Sequence, residues 1–156
     1  MGKINNPVQV VLTSSRYKDK DNLIAMAWWT KVSHKPNLYT ISVGKTRFSH
    51  DLIKKSKCFT INFMPSKLKN KILFCGKNSG REIDKFEKIG LTKIESKKIN
   101  CFVLKESLAY AECKVIKSIP AGDHTIFIGE VVNEKVKKKG KRPFQIEGTK
   151  FTTTIR

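Results

Sequence analysis

Apolar and polar residues alternate along most of this chain with the two-residue period of half-buried strands, and β-branched positions are frequent. The runs predict strands over residues 8–14, 23–29, 38–43, 58–63, 101–104, 108–119 and 126–135, with a last one over 150–155. The segments 108–119 and 126–135 flank the turn-rich P-A-G-D-H and are predicted to form an antiparallel hairpin. Helical periodicity is scarce. Residues 49–57 carry a capping hydroxyl, an early Asp and late lysines, as the helix dipole favours. Residues 66–75 set Leu68, Ile72 and Leu73 on one face, and 83–89 close on Gly90. Many short strands with few helices predict a mostly β chain, a β-barrel carrying peripheral helices.

Length and composition refine this picture. The 156 residues read as one domain, 1–156, large enough to bury a core without a disulfide or metal staple. No run of about 18 apolar residues exists, so no membrane span is expected. The opening M-G-K-I-N-N lacks an apolar signal core and reads as the start of a cytoplasmic protein. Cys58, Cys75, Cys101 and Cys113 stand far apart with no C-x-x-C pair, the pattern of reduced core cysteines. Cys75 precedes a Gly turn near cations, a setting that can lower a thiol's pKa. His34, His50 and His124 are scattered and make no metal site. With 32 Lys and Arg against 13 Asp and Glu, the net charge of +19 attracts polyanions. Only residues 135–142, K-V-K-K-K-G-K-R, form a dense basic cluster.

Candidate chemistry sits in separated segments. In G-K-T-R-F-S-H-D, 44–51, a strand ends and a helix starts, so free N–H groups can meet a phosphate. Lys45 and Arg47 add charge there, and Thr46 and Ser49 add hydroxyls; taken alone, the segment is also an ordinary capped turn. In N-L-I-A-M-A-W-W-T, 22–30, the adjacent Trp28 and Trp29 point to opposite strand faces. One can pack in the core while the other lines a pocket beside Asn22 and Thr30. C-G-K-N-S-G-R-E-I-D-K-F, 75–86, is a Gly/Ser turn with Ser79, Arg81 and Lys85. Arg81 and Lys85, four apart, either converge on an anion or remain a solvated pair with Asp84. His124 lies in the hairpin mouth beside Asp123. Rings for a planar heterocycle together with donors for a phosphate suggest a flavin mononucleotide site. No G-x-S-x-G elbow, Walker loop or G-x-G-x-x-G follows a strand, which argues against a Rossmann fold.

The order of these pieces resembles one family. N-L-I-A-M-A-W-W-T, K-T-R-F-S-H-D-L-I, F-T-I-N-F, C-G-x-x-S-G-R-x-x-D-K-F, L-A-Y-A-E-C and G-D-H-T-I-F-I-G-E-V-V are similar, in that order, to the flavin reductase-like, FMN-binding split-barrel proteins, close to flavoredoxin. The resemblance implies a six-stranded antiparallel split β-barrel, a homodimer, and FMN (or FAD) held non-covalently near the interface. It implies Asn22, Trp28, Trp29 and Thr30 along the ring and ribityl chain, and Thr46, Arg47 and Ser49 on the phosphate. Ser79, Arg81 and Lys85 would form a second cationic wall. His124 would face the flavin edge as the catalytic residue, and Phe151 would flank the site. The implied activity is an NAD(P)H-dependent flavin reductase. The rival is an FMN electron carrier serving a redox partner protein. A basic module that stacks nucleic acid on its aromatics ranks last.

Overall fold

Two-residue turns set the strand pairing. Tyr17 faces Lys20, Ala121 faces His124 and Glu147 pairs with Lys150 across their respective hairpins. Gly122 and Gly148 adopt positive φ of 58° and 52°, which glycine reaches without steric cost. The computed structural model describes residues 3–154. After a 3-10 turn at Lys3–Asn5 come β1 (Val8–Gln9), β2 (Val11–Tyr17), β3 (Lys20–Met26), β4 (Trp29–Ser33) and β5 (Leu38–Gly44). Then follow α1 (Phe48–Ser56), β6 (Cys58–Phe63), a 3-10 turn (Ser66–Leu68), α2 (Lys69–Lys77) and α3 (Lys85–Ile89). The chain ends with β7 (Lys93–Glu95), β8 (Phe102–Leu104), β9 (Ala109–Ala121), β10 (His124–Val136), β11 (Pro143–Glu147) and β12 (Lys150–Thr153).

The fold is mostly β, but its main sheet has seven strands where six were expected, in the order β3-β2-β6-β9-β10-β5-β4. Every neighbouring pair is antiparallel. The outer strands β3 and β4 are consecutive in sequence, with Ala27 and Trp28 between them. So short a link spans at most roughly 10 Å, and the sheet therefore curls to bring its edges together. No ladder pairs β3 with β4 among the described residues. One face of the curled sheet gathers Val11, Met26, Ile41, Phe59, Ala111 and Phe127 into an inner core. The other face joins Leu12, Leu23 and Cys58 to Ile72 and Cys75 of α2 and Ile89 of α3. A three-stranded sheet, β1-β11-β12, and the pair β7-β8 complete the fold.

Several boundaries depart from the pattern in the sequence. The strand expected over 23–29 breaks at Ala27, because the chain crosses there from one sheet edge to the other. The Trp28 carbonyl accepts from Ser42 N–H at 2.9 Å, which ties the crossing to β5. Helix α1 begins one residue before Ser49, with Arg47 at the N-cap and no side chain capping it. The helix expected over 66–75 starts as a 3-10 turn and runs to Lys77. The one expected over 83–89 begins at Lys85, where the Asp84 carboxylate accepts from Phe86 and Glu87 N–H. Strands β1 and β12 match runs expected at 8–14 and 150–155, of which Ile155 lies outside the described residues. Strands β4, β7 and β11 were not expected.

Candidate functional site

The C-terminal end of β5, the N-terminal end of β10 and the last turn of α2 surround one cleft. Its main chamber is about 400 Å³ and is lined by Ile24–Trp28, Ser42–Gly44, Arg47, Gly76, His124, Gln145 and Gly148, with Asn5, Asn6 and Val8 at one side. A polar end of about 270 Å³ shares Ile24, Arg47 and Gly76 with the chamber and adds Asn22, Thr46, Ser79, Arg81 and Lys85. An apolar annexe of about 330 Å³ shares Ala25, Ala27 and Gly76 and reaches Phe151. Volumes of a few hundred Å³ suit a cofactor.

The rings meet at the chamber. Trp28 is 38% exposed, and its ring is tilted 43° to that of His124 with centroids 4.7 Å apart. His124 Nδ1 donates to the Asp123 carboxylate at 2.7 Å, because a carboxylate only accepts. This leaves Nε2 on the side of Gly44, where an added Cβ would lie 3.6 Å from it. The same hydrogen bond holds the Asp123 carboxyl below the usual carboxylate range.

The cations differ in what they already hold. Arg47 lines both chamber and polar end, and its guanidinium has no hydrogen-bond or ion-pair partner among the described residues. Arg81 instead meets Asp51 at 2.5 Å, donates to the Thr46 carbonyl at 2.8 Å and lies over the Phe48 ring. Lys85 is 3% exposed. Its ammonium donates to the carbonyls of Leu23 at 2.6 Å and Cys75 at 2.8 Å, and no carboxylate among the described residues neutralises it. One of its three N–H groups therefore has no acceptor among the described residues. Burial pushes its pKa below the ordinary lysine range; the nearby Cys75 counters this and the Arg47 charge adds to it.

The remaining expected residues divide. Asn22 is buried beside the polar end, and its Nδ2 donates to Ser49 Oγ at 2.9 Å. An added Cβ at Gly80 would overlap Asn22 Oδ1, so a bare backbone is needed where the 75–86 turn crosses β3. Ser49 is fully buried, bonded to Ser15 and Asn22, and lines no part of the cleft. Ser79 Oγ accepts from Arg81 N–H at 3.2 Å. The Lys45 ammonium donates to the Gly122 carbonyl at 2.6 Å and so braces the hairpin turn outside the cleft. Trp29 turns away into the inner core, where its Nε1 donates to the Gln9 carbonyl at 2.9 Å and its ring meets Phe63 edge-on. Thr30 is exposed and donates to the Lys31 carbonyl at 3.3 Å, with no place in the cleft. Cys75 does not have the lowered pKa that a Gly turn near cations can give: burial pushes it up to about 11, against the pull of Lys85.

Sequence reasoning missed Gly76, Gln145 and Gly148. The hairpin β11–β12 brings Gln145 to the chamber, and Gln145 Nε2 donates to the Gly148 carbonyl at 2.7 Å. The turn signal at Gly148 between alternating Phe144 and Phe151 could have located it. Among the described residues no group of three or more His, Cys, Asp or Glu side chains could hold a metal, and no helix is long and apolar enough to cross a membrane.

Comparison with known proteins decides the lineage. The model of a flavin reductase like domain matches residues 1–152. The chain belongs to the flavin reductase-like family. An uncharacterized protein of Archaeoglobus fulgidus is 35% identical over 115 residues, 74% of this chain and 65% of the relative. The match thus spans slightly less than two thirds of that relative's own length. Among solved structures of similar proteins, flavoredoxin from Methanosarcina acetivorans superposes with a TM-score of 0.78 and 26% identity, covering 88% of this chain and 75% of that one. An FMN-binding protein from Thermus thermophilus, solved with p-hydroxybenzaldehyde, reaches a TM-score of 0.90 at 22% identity, covering 98% and 89%. At that identity the second likeness concerns the fold alone.

Proposed function

We propose that the chain holds FMN in this cleft, with FAD as the alternative, and uses it to take hydride from NAD(P)H as a flavin reductase. One observation carries the reading. A chamber with rings at one end, Trp28 and His124, runs into a polar end where the Arg47 guanidinium and one N–H of buried Lys85 have no partner among the described residues. Gly44 and Gly76 line the chamber without side chains, which leaves room for a planar ring. The residues present fit a flavin phosphate: Arg47 would grip it, with the hydroxyls of Thr46 and Ser79 nearby.

A bound flavin supplies the redox chemistry, accepting hydride at its ring. The chain's own residues bind, orient and tune. Trp28 and His124 form one wall of the chamber and keep its mouth open for a second planar ring. Arg47 and Lys85 provide positive charge in a partly dry site, where it stabilises negative charge more than in water. The hydrogen bond from His124 to Asp123 fixes the imidazole, so Nε2 faces the chamber with a set orientation. No nucleophile is required.

A carrier role is the second reading, favoured by the 26% identity to a flavoredoxin. The net charge of +19 would steer an acidic redox partner toward it. Either reading includes the homodimer implied by the family resemblance, and exposed Ile116 on the long hairpin offers apolar surface for it.

Anaerobic mixing of the flavin-loaded protein with NADH or NADPH separates the two readings. Bleaching of the flavin band by either nicotinamide supports the reductase. Bleaching by dithionite alone supports the carrier.

A further inference from the structure

A second cavity lies away from the cleft. It occupies about 620 Å³ at the opposite end of the curled sheet and shares no lining residue with the cleft. Glu134 on its rim and His124 in the cleft stand near opposite ends of β10, roughly 30 Å apart along the strand. Trp29, Tyr39, Phe63 and Tyr110 supply its aromatic walls.

Two cations are already placed over these rings. The Arg142 guanidinium sits 4.6 Å from the Phe63 centroid, and the Lys31 ammonium 5.7 Å from that of Tyr39. Neither has a carboxylate partner within salt-bridge distance among the described residues. Lys135 adds a third charge on the rim, and the basic run continues through Lys138, Lys139 and Lys141. A purely structural cation–π pair would need neither the cavity nor this rim. Glu134 is the one acid in the lining. A carboxylate among cations suits a ligand with both an N–H donor and an anionic group.

We propose that this cavity binds a nucleotide: a heteroaromatic base packed against the aromatic wall of Trp29, Tyr39 and Tyr110, and a phosphate held by Arg142 and Lys31. Arg142 and Lys31 already lie over ring faces of Phe63 and Tyr39, so the base takes the aromatic surface they leave while the cations meet the phosphate. Glu134 accepts from a ring or exocyclic N–H of the base. The volume lies within the range of small-molecule sites. The same chemistry is presented by a free nucleoside monophosphate and by the end of a single-stranded RNA.

Calorimetric titration of the full chain with adenosine 5′-monophosphate, with and without saturating FMN, tests this. One site per chain is expected, with affinity unchanged by FMN and by Arg47→Gln. Arg142→Gln and Lys31→Gln, the latter at an exposed position, should each weaken binding about fivefold or more, and adenosine should bind about tenfold more weakly. A short oligoribonucleotide that binds more tightly than the mononucleotide, with a steep salt dependence, assigns the site to an RNA end; equal affinity assigns it to the free nucleotide. Absence of binding overturns the proposal. So does binding that FMN or Arg47→Gln abolishes while the Arg142 and Lys31 variants retain it, since the ligand then occupies the flavin cleft. A dimer that dissociates when Arg142 and Lys31 are both replaced also overturns it, by giving the cavity to a second copy of the chain. Because Arg47→Gln is scored separately, failure here leaves the flavin reading untouched.

Discussion

Arg81 is committed to Asp51: the guanidinium meets the carboxylate at 2.5 Å and also donates to the Thr46 carbonyl at 2.8 Å. Arg47, which lines the same polar end, holds no such partner. The two arginines of the cleft therefore have different roles, one as a strut for the 75–86 turn and one as an available donor.

This difference sets the first expectation. Arg47→Gln should weaken FMN binding at least about tenfold, or roughly 1.4 kcal/mol, with little loss of stability. Arg81→Gln should act mainly on stability, and modestly, because both partners are about half exposed and such pairs contribute about 0–1 kcal/mol. Paired FMN titrations and thermal melts of both variants check this. The assignment fails if Arg81→Gln costs the greater FMN affinity.

Lys85 joins two elements as well as facing the site. Its ammonium ties the Leu23 carbonyl of β3 to the Cys75 carbonyl of α2. Lys85→Met keeps the apolar stem but strands two buried carbonyls, at about 1–3 kcal/mol each for an unmet group, partly offset by removing a buried charge. Urea unfolding should show net destabilisation. The folded-state pKa is depressed, so the charged form carries its burial penalty at neutral pH, and the penalty fades as pH rises toward the unfolded lysine value. The stability gap between the native protein and Lys85→Met should therefore widen in alkali, in favour of the native chain.

Gly80 should tolerate no side chain. A Cβ there meets Asn22 Oδ1 and crowds Phe48 at 3.1 Å. Gly80→Ala is expected to cost about 1–3 kcal/mol as overpacking, read by thermal melting, and to weaken FMN binding by shifting Asn22. An unchanged melting temperature would mean the turn moves freely over β3.

His50 makes the fold sensitive to mild acid. Its Nε2 bonds Thr125 Oγ1 at 2.8 Å, its Nδ1 is buried with no hydrogen-bond partner among the described residues and lies 3.7 Å from Asp51 Oδ1, and burial pushes its pKa down against the pull of Asp51. The unfolded chain then binds a proton more readily than the folded one. The contribution is fully present above the unfolded value of about 6.5 and is lost as pH falls through the depressed folded value. His50→Gln should flatten this part of the stability profile, measured by urea unfolding between about pH 7 and pH 5; a profile unchanged by the substitution contradicts the assignment.

Much of this site is legible in the sequence because its signals are local. Trp28 beside a strand end, the basic turn at 44–51 and the Gly/Ser turn at 75–86 all reach the cleft. Directions were harder to read. Ser49 has the right type and position for a helix cap, yet it faces inward to Ser15 and Asn22 because β2 and β3 present buried polar groups there. Trp29 was expected along the ring, but the strand breaks before it and the β4 pairing turns it into the core. Lys85 was expected to converge with Arg81 on an anion or to stay solvated beside Asp84; only the fold shows two carbonyls waiting for it. The Gln145 wall was hidden because the lysine-rich run 135–142 masks the alternation that begins at Pro143.

On the proposed function, the cleft between Trp28, His124 and Arg47 holds a flavin. The most direct test is the visible spectrum of the native protein and of Arg47→Gln after incubation with FMN and desalting. A retained flavin band near one FMN per chain is expected in the native protein, and a largely colourless variant. A native protein that emerges colourless from FMN and from FAD would contradict it.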